Sequence, residues 1–297
     1  MIIVENLPKI RGIYRPNAKL PNWFDVGGNA ELLFRPKDID DLQYFLQNID
    51  NKIKISILGA GSNVIISDEG VKGVVIRMGS EFAKIAIVEK DNKFFISAGS
   101  SASCLNVANF AKNNAFKGVE FLSGIPGSIG GAIAMNAGCY DGEISKILCS
   151  AIALNYQGQK YIFENSQFNF SYRNNELAKN YIFVEGLFAI EKSSFEEVEK
   201  KMQELQIKRE NSQPIRAKTS GSTFKNPQGK KAWELIDAIG FRGKKKGQAQ
   251  FSQKHCNFLI NVDNASAQDL IDLANEAKSE VLKKFSINLE WEIKILK

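Results

Sequence analysis

Short apolar segments separated by turns dominate the first part of the chain and predict a region rich in strands. Most of these segments are short and apolar, as strands are, whereas residues 37–48 repeat their apolar residues at helical spacing. The resulting β-α-β-turn-β order occupies residues 30–36, 37–48, 53–58, 59–63 and 64–66. Prolines at positions 8, 16 and 21 lead us to expect an irregular chain over residues 1–26.

Strand patterns continue to about residue 190. Helical spacing recurs in only one short segment, 103–114. The further strands are predicted at 74–77, 84–89, 93–98, 146–156, 160–163 and 181–190. We therefore expect no long helix between residues 115 and 190.

The pattern changes near residue 191, where helical periodicity becomes dominant. Ser194 with Glu197, and Ser266 with Asp269, have the spacing of helix-capping boxes. The predicted elements are helices at 194–209, 231–239 and 266–285, and strands at 255–262 and 287–295. This change indicates a domain boundary near 191 and an α+β fold for the C-terminal third.

Composition excludes several classes of protein. The chain has 297 residues, enough for two or three domains, and 44% hydrophobic with 24% charged residues is typical of soluble proteins. Its apolar runs are shorter than the ~20 residues of a membrane span, and the start lacks signal-peptide features. We expect a cytoplasmic protein that does not enter a membrane. The four cysteines show no metal-ligand spacing and there is one histidine, so we expect reduced thiols and no metal.

The net charge of +6 is spread along the chain except for a basic run at residues 242–246. A solvated loop explains this run better than a nucleic-acid surface, which needs a broader patch with interleaved aromatic residues. We therefore expect no nucleic-acid partner. A modest positive charge also suits anionic nucleotides as substrates.

The glycine-rich stretch 124–138 is the most unusual part of the chain. It has five glycines in fifteen residues, several large apolar residues and no ionisable side chain. Glycines allow a ligand to approach the backbone, so a flat apolar ring joined to a phosphate fits this stretch. A turn packed between core strands is the alternative. The 59–63 turn favours the ligand, although Val64 excludes the Rossmann motif that a Gly-x-Gly sequence suggests.

Three polar groups outside these turns have residue types suited to catalysis. Ser222 lies near Lys225 and can donate a proton to a basic carbon, Arg173 lies beside aromatic residues and suits a carboxylate, and Glu290 and Glu292 share one face of a predicted strand. Each group also has an ordinary explanation. These are a polar turn, a surface ion pair and two solvated glutamates, and spacing alone does not decide between them.

Together these segments resemble the UDP-N-acetylenolpyruvoylglucosamine reductase family over nearly the whole chain. Matching motifs occur in the family's order at residues 22–28, 59–63, 124–131, 136–138, 171–173, 213–214, 220–227, 255–261 and 289–292. The short connection after Arg173 resembles the branch without an inserted tyrosine loop. Two departures are Asn174-Asn175, where the family usually has a serine two positions after the arginine, and Trp291, where proline is common.

The resemblance implies an α+β fold with a two-lobed FAD-binding domain of the vanillyl-alcohol-oxidase type at 1–190, its lobes at about 1–78 and 79–190. A substrate-binding domain would follow at 191–297, its last strand returning to the active site. It also implies that NADPH reduces FAD, and that reduced FAD then passes hydride to C3 of UDP-N-acetylglucosamine enolpyruvate. The product, UDP-N-acetylmuramate, is a precursor of peptidoglycan. No protein partner is implied.

The resemblance further assigns roles to individual residues. Catalytic roles fall on Arg173 and Glu292, which polarise the substrate, and on Ser222, the proton donor. The implied FAD-binding residues are Gly59, Ala60, Gly61, Ser62, Asn63, Gly124, Ile125, Pro126, Gly127, Ser128, Gly131, Ala134 and Gly138. The implied substrate-binding residues are Tyr172, Lys225, Asn226 and His255.

Two other functions stay open at this stage. One is another FAD-dependent oxidase or dehydrogenase of the same fold, and the other is a non-catalytic nucleotide-sugar binding protein. Many such oxidases tether FAD through a histidine in the FAD-binding domain. Because the chain has no histidine before 255, we expect its FAD to be bound non-covalently.

Overall fold

The computed structural model describes residue 2 and residues 4–297, which divide into two compact units. Unit 1 comprises residues up to Pro16 together with Leu32–Ala60 and Gly73–Lys208. Unit 2 comprises Asn17–Glu31, Gly61–Lys72 and Arg209–Lys297.

The described chain contains both helices and strands. The α-helices are α1 Ile39–Asn48, α2 Cys104–Asn113, α3 Ile129–Met135, α4 Ile144–Ile147, α5 Phe195–Ser212, α6 Ala232–Ala238 and α7 Ala267–Phe285. The strands are β1 Ile13–Lys19, β2 Asn29–Arg35, β3 Ile55–Ile57, β4 Val64–Ile66, β5 Val71–Ile76, β6 Ile85–Lys90, β7 Lys93–Gly99, β8 Phe116–Lys117, β9 Gly138–Cys139, β10 Gly142–Glu143, β11 Leu148–Asn155, β12 Lys160–Glu164, β13 Tyr181–Lys192, β14 Lys245–Lys246, β15 Ala249–Phe251, β16 Leu259–Asn261 and β17 Lys294–Leu296.

Unit 1 is built on two sheets, each with its own apolar core. One sheet has the order β1-β2-β5-β3, its strands lying wholly or partly in this unit, and β3 pairs with β5 in parallel. The other is antiparallel with the order β12-β11-β13-β7-β6, and β8 also pairs with β13. α1 covers the first core with Leu42, Phe45 and Leu46, and α2 and α3 pack into the second.

The start of α1 is fixed by two carboxylates. Asp38 caps the helix by accepting the N–H of Asp41 at 3.0 Å. Asp41 is buried and accepts the N–H groups of Arg11, Gly12 and Lys37 at 2.6, 2.8 and 2.9 Å. These bonds satisfy the buried carboxylate and tie the N-terminal segment of unit 1 to α1.

α5 belongs largely to unit 1, because its buried residues Val198, Met202 and Leu205 join the second core of that unit. The packing of unit 1 therefore extends to Lys208, past the boundary expected near 191. The functional division into residues 1–190 and 191–297 stays a prediction.

The core of unit 2 is built on the buried face of the amphipathic helix α7. The capping box predicted at Ser266 and Asp269 is confirmed, with the Ser266 side chain accepting the Asp269 N–H at 2.9 Å. Asp68 also accepts the N–H groups of Ala267 and Gln268 at 2.8 and 2.9 Å. The buried face of α7 packs on an antiparallel sheet of order β14-β15-β16, while β17 pairs in parallel with β4.

Four sequence predictions need correction. Residues 13–19, expected to be irregular, form β1, which tolerates Pro16 because it is the edge strand of its sheet. Residues 129–135 of the glycine-rich stretch form the short helix α3, although no helix was predicted there. The strand expected at 255–262 is reduced to β16, because the N–H of Phe258 turns back to the carbonyl of His255 at 3.0 Å.

The fourth correction concerns the final strand, expected over residues 287–295. The N–H groups of Glu292 and Ile293 both donate to the carbonyl of Thr223, at 2.9 and 3.5 Å, so residues before 294 do not enter a regular ladder. Only β17 pairs as a strand.

Candidate active site

The glycine-rich stretch lies against the segment that follows β7 in unit 1. Cys104 N–H donates to the carbonyl of Gly127 at 3.0 Å, and the N–H groups of Ile129 and Gly130 donate to Ala102 and Ser100, both at 2.9 Å. A Cβ at Gly130 would lie 2.8 Å from the Cβ of Ser100. α3 therefore requires glycine at position 130, because the two backbones approach so closely.

Gly59 and Gly131 both lie close to the Ser128 hydroxyl in unit 1. A Cβ at Gly59 would be 2.7 Å from Ser128 Oγ, and one at Gly131 would be 3.6 Å from it. Both glycines are exposed, whereas Ser128 is buried. The backbone at Gly59 and Gly131 and the Ser128 hydroxyl together form a surface, called the glycine surface below, that a side chain at position 59 would obstruct. This fits an FAD diphosphate, which backbone and hydroxyl donors can hold.

The rest of the predicted FAD-binding stretch lies partly accessible beside this surface. Gly124 faces Cys139 and Tyr140, and a Cβ there would be 2.9 Å from the Cys139 sulfur. The remaining members, all half-buried, are Ile125, Pro126, Gly127, Ala134 and Gly138. Their accessibility agrees with the predicted role in FAD binding, which stays a prediction residue by residue.

The 59–63 turn divides at Ala60, and its second half belongs to unit 2. Gly61 has a positive φ of 72°, and a Cβ there would lie 2.3 Å from the carbonyl oxygen of Pro21. The amide of Asn63 donates to the carbonyl of Glu292 at 3.0 Å, and its own carbonyl accepts Lys294 N–H at 3.1 Å. Asn63, expected to contact FAD, therefore also holds the segment that carries Glu292.

Arg173 lies in a tight turn of unit 1. Ser171 and Asn174 exchange two main-chain hydrogen bonds across this turn, at 3.2 and 3.0 Å. Arg173 has a φ of +54°, and its guanidinium donates to the carbonyl of Gly138 at 2.6 Å. The same guanidinium lies 5.2 Å from the ring centre of Tyr172, which is exposed. An arginine–aromatic pair at the surface is suited to binding an anionic, planar group.

Ser222 and Glu292 are brought together in unit 2 through Thr223. Thr223 is fully buried, its N–H donates to Asn257 at 2.7 Å, and its carbonyl accepts Glu292 N–H at 2.9 Å. Ser222 directly precedes Thr223 and forms a bridge with Phe258. The main chains that carry a hydroxyl and a carboxylate are thus held side by side.

The predicted substrate-binding residues of unit 2 have partners within the same unit. Lys225 Nζ lies 3.7 Å from Glu290, and the Asn226 side chain accepts Ala232 N–H at 3.0 Å at the start of α6. Burial lowers the pKa of His255, and the charge of Arg242 lowers it further. His255 Nδ1 accepts the N–H of Asn257 at 3.3 Å, as a neutral imidazole can.

Ion pairs engage the basic run, and burial governs the chemistry of two of the cysteine thiols. The basic run is largely paired, with Arg242 bound to Asp237 at 2.8 Å and Lys244 to Glu276 at 2.6 Å. The four cysteines carry free thiols, and burial raises the pKa of Cys104 to about 12 and that of Cys256 to about 11. Among the described residues no helix is long and apolar enough to cross a membrane.

Sequence reasoning missed several uncharged residues that organise these segments. They are Thr223, Asn257, Asn136 and Asn175, each buried and bonded to main-chain groups. It also missed Arg77, which donates to the carbonyl of Gly59 at 3.4 Å and brings a positive charge to the glycine surface. Thr223, Asn257 and Asn136 were visible only as parts of motifs, and Asn175 only as a departure from one, because their hydrogen-bond partners include residues that are distant in sequence.

Comparison with known proteins first defines the class. A sequence profile described as "FAD binding domain" matches residues 30–159. The chain is therefore a flavoprotein of the oxidoreductase class, and the predicted α+β fold with an FAD-binding domain is confirmed.

The family follows from the rest of the chain. Residues 213–296 match the profile "UDP-N-acetylenolpyruvoylglucosamine reductase, C-terminal domain". Enzymes of that name are 44% identical in Rickettsia massiliae, over 97% of both chains, and 43% identical in a Wolbachia strain from Drosophila simulans, over 98% of both. The reductase structure from Thermus caldophilus has a TM-score of 0.81 at 28% identity, covering 97% of this chain and 100% of that one. The chain belongs to the UDP-N-acetylenolpyruvoylglucosamine reductase family.

Proposed function

We propose that this protein reduces UDP-N-acetylglucosamine enolpyruvate to UDP-N-acetylmuramate, with NADPH as the reductant and non-covalently bound FAD as the carrier. Such a reaction supplies a precursor of peptidoglycan, and we place it in the cytoplasm. The observation that carries the proposal is the arrangement in unit 2, where Thr223 holds the main chains of Ser222 and Glu292 side by side in a chain of this family.

Bound FAD would supply the hydride chemistry, with NADPH as the donor and C3 of the enolpyruvyl group as the acceptor. The protein has to bind FAD without obstructing it. Gly59 and Gly131 have no side chains to cover the proposed diphosphate site, and the Ser128 hydroxyl lies close to both of them. Arg77 supplies positive charge at the carbonyl side of Gly59.

Ser222 is the proposed proton donor to C2. Hydride addition at C3 leaves an electron pair at C2, and a serine hydroxyl is acidic enough to protonate such a carbon despite its high intrinsic pKa. The Ser222 oxygen then regains a proton from solvent. Lys225 lies three residues away and can stabilise the transient negative charge, although Glu290 competes for its ammonium group.

Glu292 and Arg173 are proposed to act on the substrate carboxylate. The guanidinium of Arg173 is suited to a bidentate pair with that carboxylate and stabilises the negative charge that develops next to it. Glu292, half-buried, is suited to share a proton with the same group. Tyr172, Asn226 and His255 are proposed to contact the UDP-sugar; Tyr172 and Asn226 are exposed, and His255 is half-buried.

An anaerobic absorption experiment tests this function. We expect the purified protein to be yellow, to lose its flavin absorbance when NADPH is added, and to regain it when the enolpyruvyl substrate follows, with one UDP-N-acetylmuramate formed per flavin reoxidised. An FAD oxidase would be reoxidised by oxygen but not by this substrate. A non-catalytic binding protein would show no bleaching. Either result would contradict the proposal.

A further inference from the structure

Two buried asparagines connect the Arg173 turn to α3. Asn136 and Asn175 are buried, with 1% and 3% of their surface exposed. Neither carries charge, and neither is suited to redox or proton chemistry. Each uses its amide group to hold a main-chain segment of unit 1.

Asn136 ends α3 in the left-handed conformation, with φ of +45°. Its Nδ2 donates to the carbonyl of Ser171 at 3.1 Å, and its Oδ1 accepts the N–H of Ser145 at 2.9 Å. Asparagine adopts this conformation more readily than most residues, which allows it to end the helix and bond two other segments at once. It thereby fixes the first residue of the Arg173 turn.

Asn175 fixes the other side of the same turn. Its Nδ2 donates to the carbonyl of Ile133 in α3 at 2.9 Å, while its Oδ1 accepts the N–H of Leu177 at 3.0 Å. Side-chain hydrogen bonds therefore connect the turn to α3 both before and after Arg173. Both involve the C-terminal end of α3, one through Asn136 and the other through the carbonyl of Ile133.

Arg173 needs this support because it has a positive φ, which is unfavourable for an arginine. A residue in this region keeps its conformation only where the surrounding structure imposes it. If the turn moved away from α3, it would leave buried amide and carbonyl groups unpaired, and such groups are costly. The two asparagines thus hold the strained residue in one orientation.

We propose that Asn136 and Asn175 are positioning residues for Arg173, fixing its guanidinium for the substrate carboxylate. The inference rests on the proposed function, because it assumes that Arg173 binds that carboxylate. The bond from Arg173 to the Gly138 carbonyl sets one side of the guanidinium, and the two asparagines set the backbone from which it extends. α3 and the Arg173 turn are thereby held together as one rigid part of unit 1.

The test uses Asn175→Ala and Asn136→Gly, each made in the wild-type and Arg173→Ala holoenzymes. Alanine at 175 removes the side-chain bonds to Ile133 and Leu177, and glycine at 136 keeps the left-handed conformation without the side chain. Stopped-flow absorbance measures flavin reduction by NADPH and flavin reoxidation by the enolpyruvyl substrate. Substrate affinity of the oxidised enzyme is measured from the perturbed flavin spectrum.

We expect each variant to slow reoxidation by the substrate roughly 10- to 100-fold, the size of effect that a small misplacement causes, and to weaken substrate affinity. NADPH reduction should change less than threefold. In the Arg173→Ala background the same substitutions should change reoxidation less than twofold, because the group they position is gone.

Asn261→Ala is the matched control. Asn261 is also buried, donates to Phe24 at 2.8 Å and accepts Ala265 N–H at 2.9 Å, but it lies in unit 2. Its effect should be the same with and without Arg173. Effects of Asn136→Gly and Asn175→Ala that persist undiminished in the Arg173→Ala background would overturn the positioning role. A wild-type enzyme that the substrate cannot reoxidise would instead overturn the proposed function, and this inference with it.

Discussion

At the scale of single residues, buried groups without charge organise the candidate site. Thr223 donates its N–H to Asn257, accepts Glu292 N–H at its carbonyl and accepts Leu259 N–H at its hydroxyl, at 2.7, 2.9 and 3.3 Å. A buried polar group that loses its partner costs about 1–3 kcal/mol, so these bonds hold three segments in one arrangement. Ser222 takes its position from the residue that follows it.

His255 gives this region a pH dependence. Burial lowers its pKa in the folded state, so between the folded and unfolded pKa values the unfolded chain binds more protons. The stabilising contribution is complete above the unfolded value of about 6.5 and is lost as pH falls through the folded value. We therefore expect unit 2 to lose stability as the pH falls below about 6.5.

Urea unfolding followed by tryptophan fluorescence measures this effect. Trp23, Trp233 and Trp291 all lie in unit 2, so their emission reports on that unit. The unfolding midpoint of the wild type should fall more steeply with pH than that of His255→Gln, which keeps an acceptor but does not titrate. Parallel pH profiles for the two proteins would show that His255 does not contribute.

At the scale of elements, helices with local signals were predictable from sequence and elements with distant partners were not. α5 and α7 were found from periodicity and capping boxes, both of which lie within the helix itself. α3 depends on the approach of Gly130 to Ser100, and β1 depends on its place at a sheet edge. The expected strand at 287–295 is short because the carbonyl of Thr223 takes two of its N–H groups.

The glycine surface allows a prediction about an element and its cofactor. Gly59→Val places a branched side chain over the Ser128 hydroxyl, where the nearest atom is already 2.7 Å from a Cβ. We expect the purified variant to contain less than a tenth of the wild-type FAD while its far-UV circular dichroism stays unchanged.

Gly79→Ala is the matched control for this substitution. Gly79 has an extended backbone, and the atoms nearest to its Cβ position are 3.9 Å away. It should keep its FAD. Full FAD occupancy in Gly59→Val would show that Gly59 serves only as a turn residue.

At the scale of the whole molecule, the sequence motifs identified the family, but a single boundary near residue 191 does not describe how the chain divides into compact units. Unit 2 combines residues 209–297 with two short segments from the N-terminal part of the chain. These segments contribute Phe24, Val26 and Ile65 to its core. Such a combination of distant segments leaves no signal in local composition, so the change of pattern near residue 191 could not reveal it.

The way FAD is held is a property of the whole chain that can be tested directly. No histidine precedes His255, and the FAD-binding domain matches residues 30–159, so histidine cannot tether the flavin there. Acid precipitation of the purified protein should release all flavin into the supernatant as FAD, identified by chromatography. Yellow colour retained in the washed pellet would indicate a covalent bond and contradict this expectation.

The assignment of separate tasks to the flavin and to Ser222 is tested most directly by the two half-reactions of Ser222→Ala. Reduction of FAD by NADPH requires no proton donated to carbon, so its rate should equal that of the wild type. Reoxidation by the enolpyruvyl substrate should slow by ~10²–10⁴-fold, as expected for the loss of a general acid. Glu292→Gln should also slow reoxidation, whereas Glu290→Gln, which removes an exposed competitor for Lys225, should not slow it. Equal slowing of both half-reactions in Ser222→Ala, or of neither, would contradict the proton-donor role.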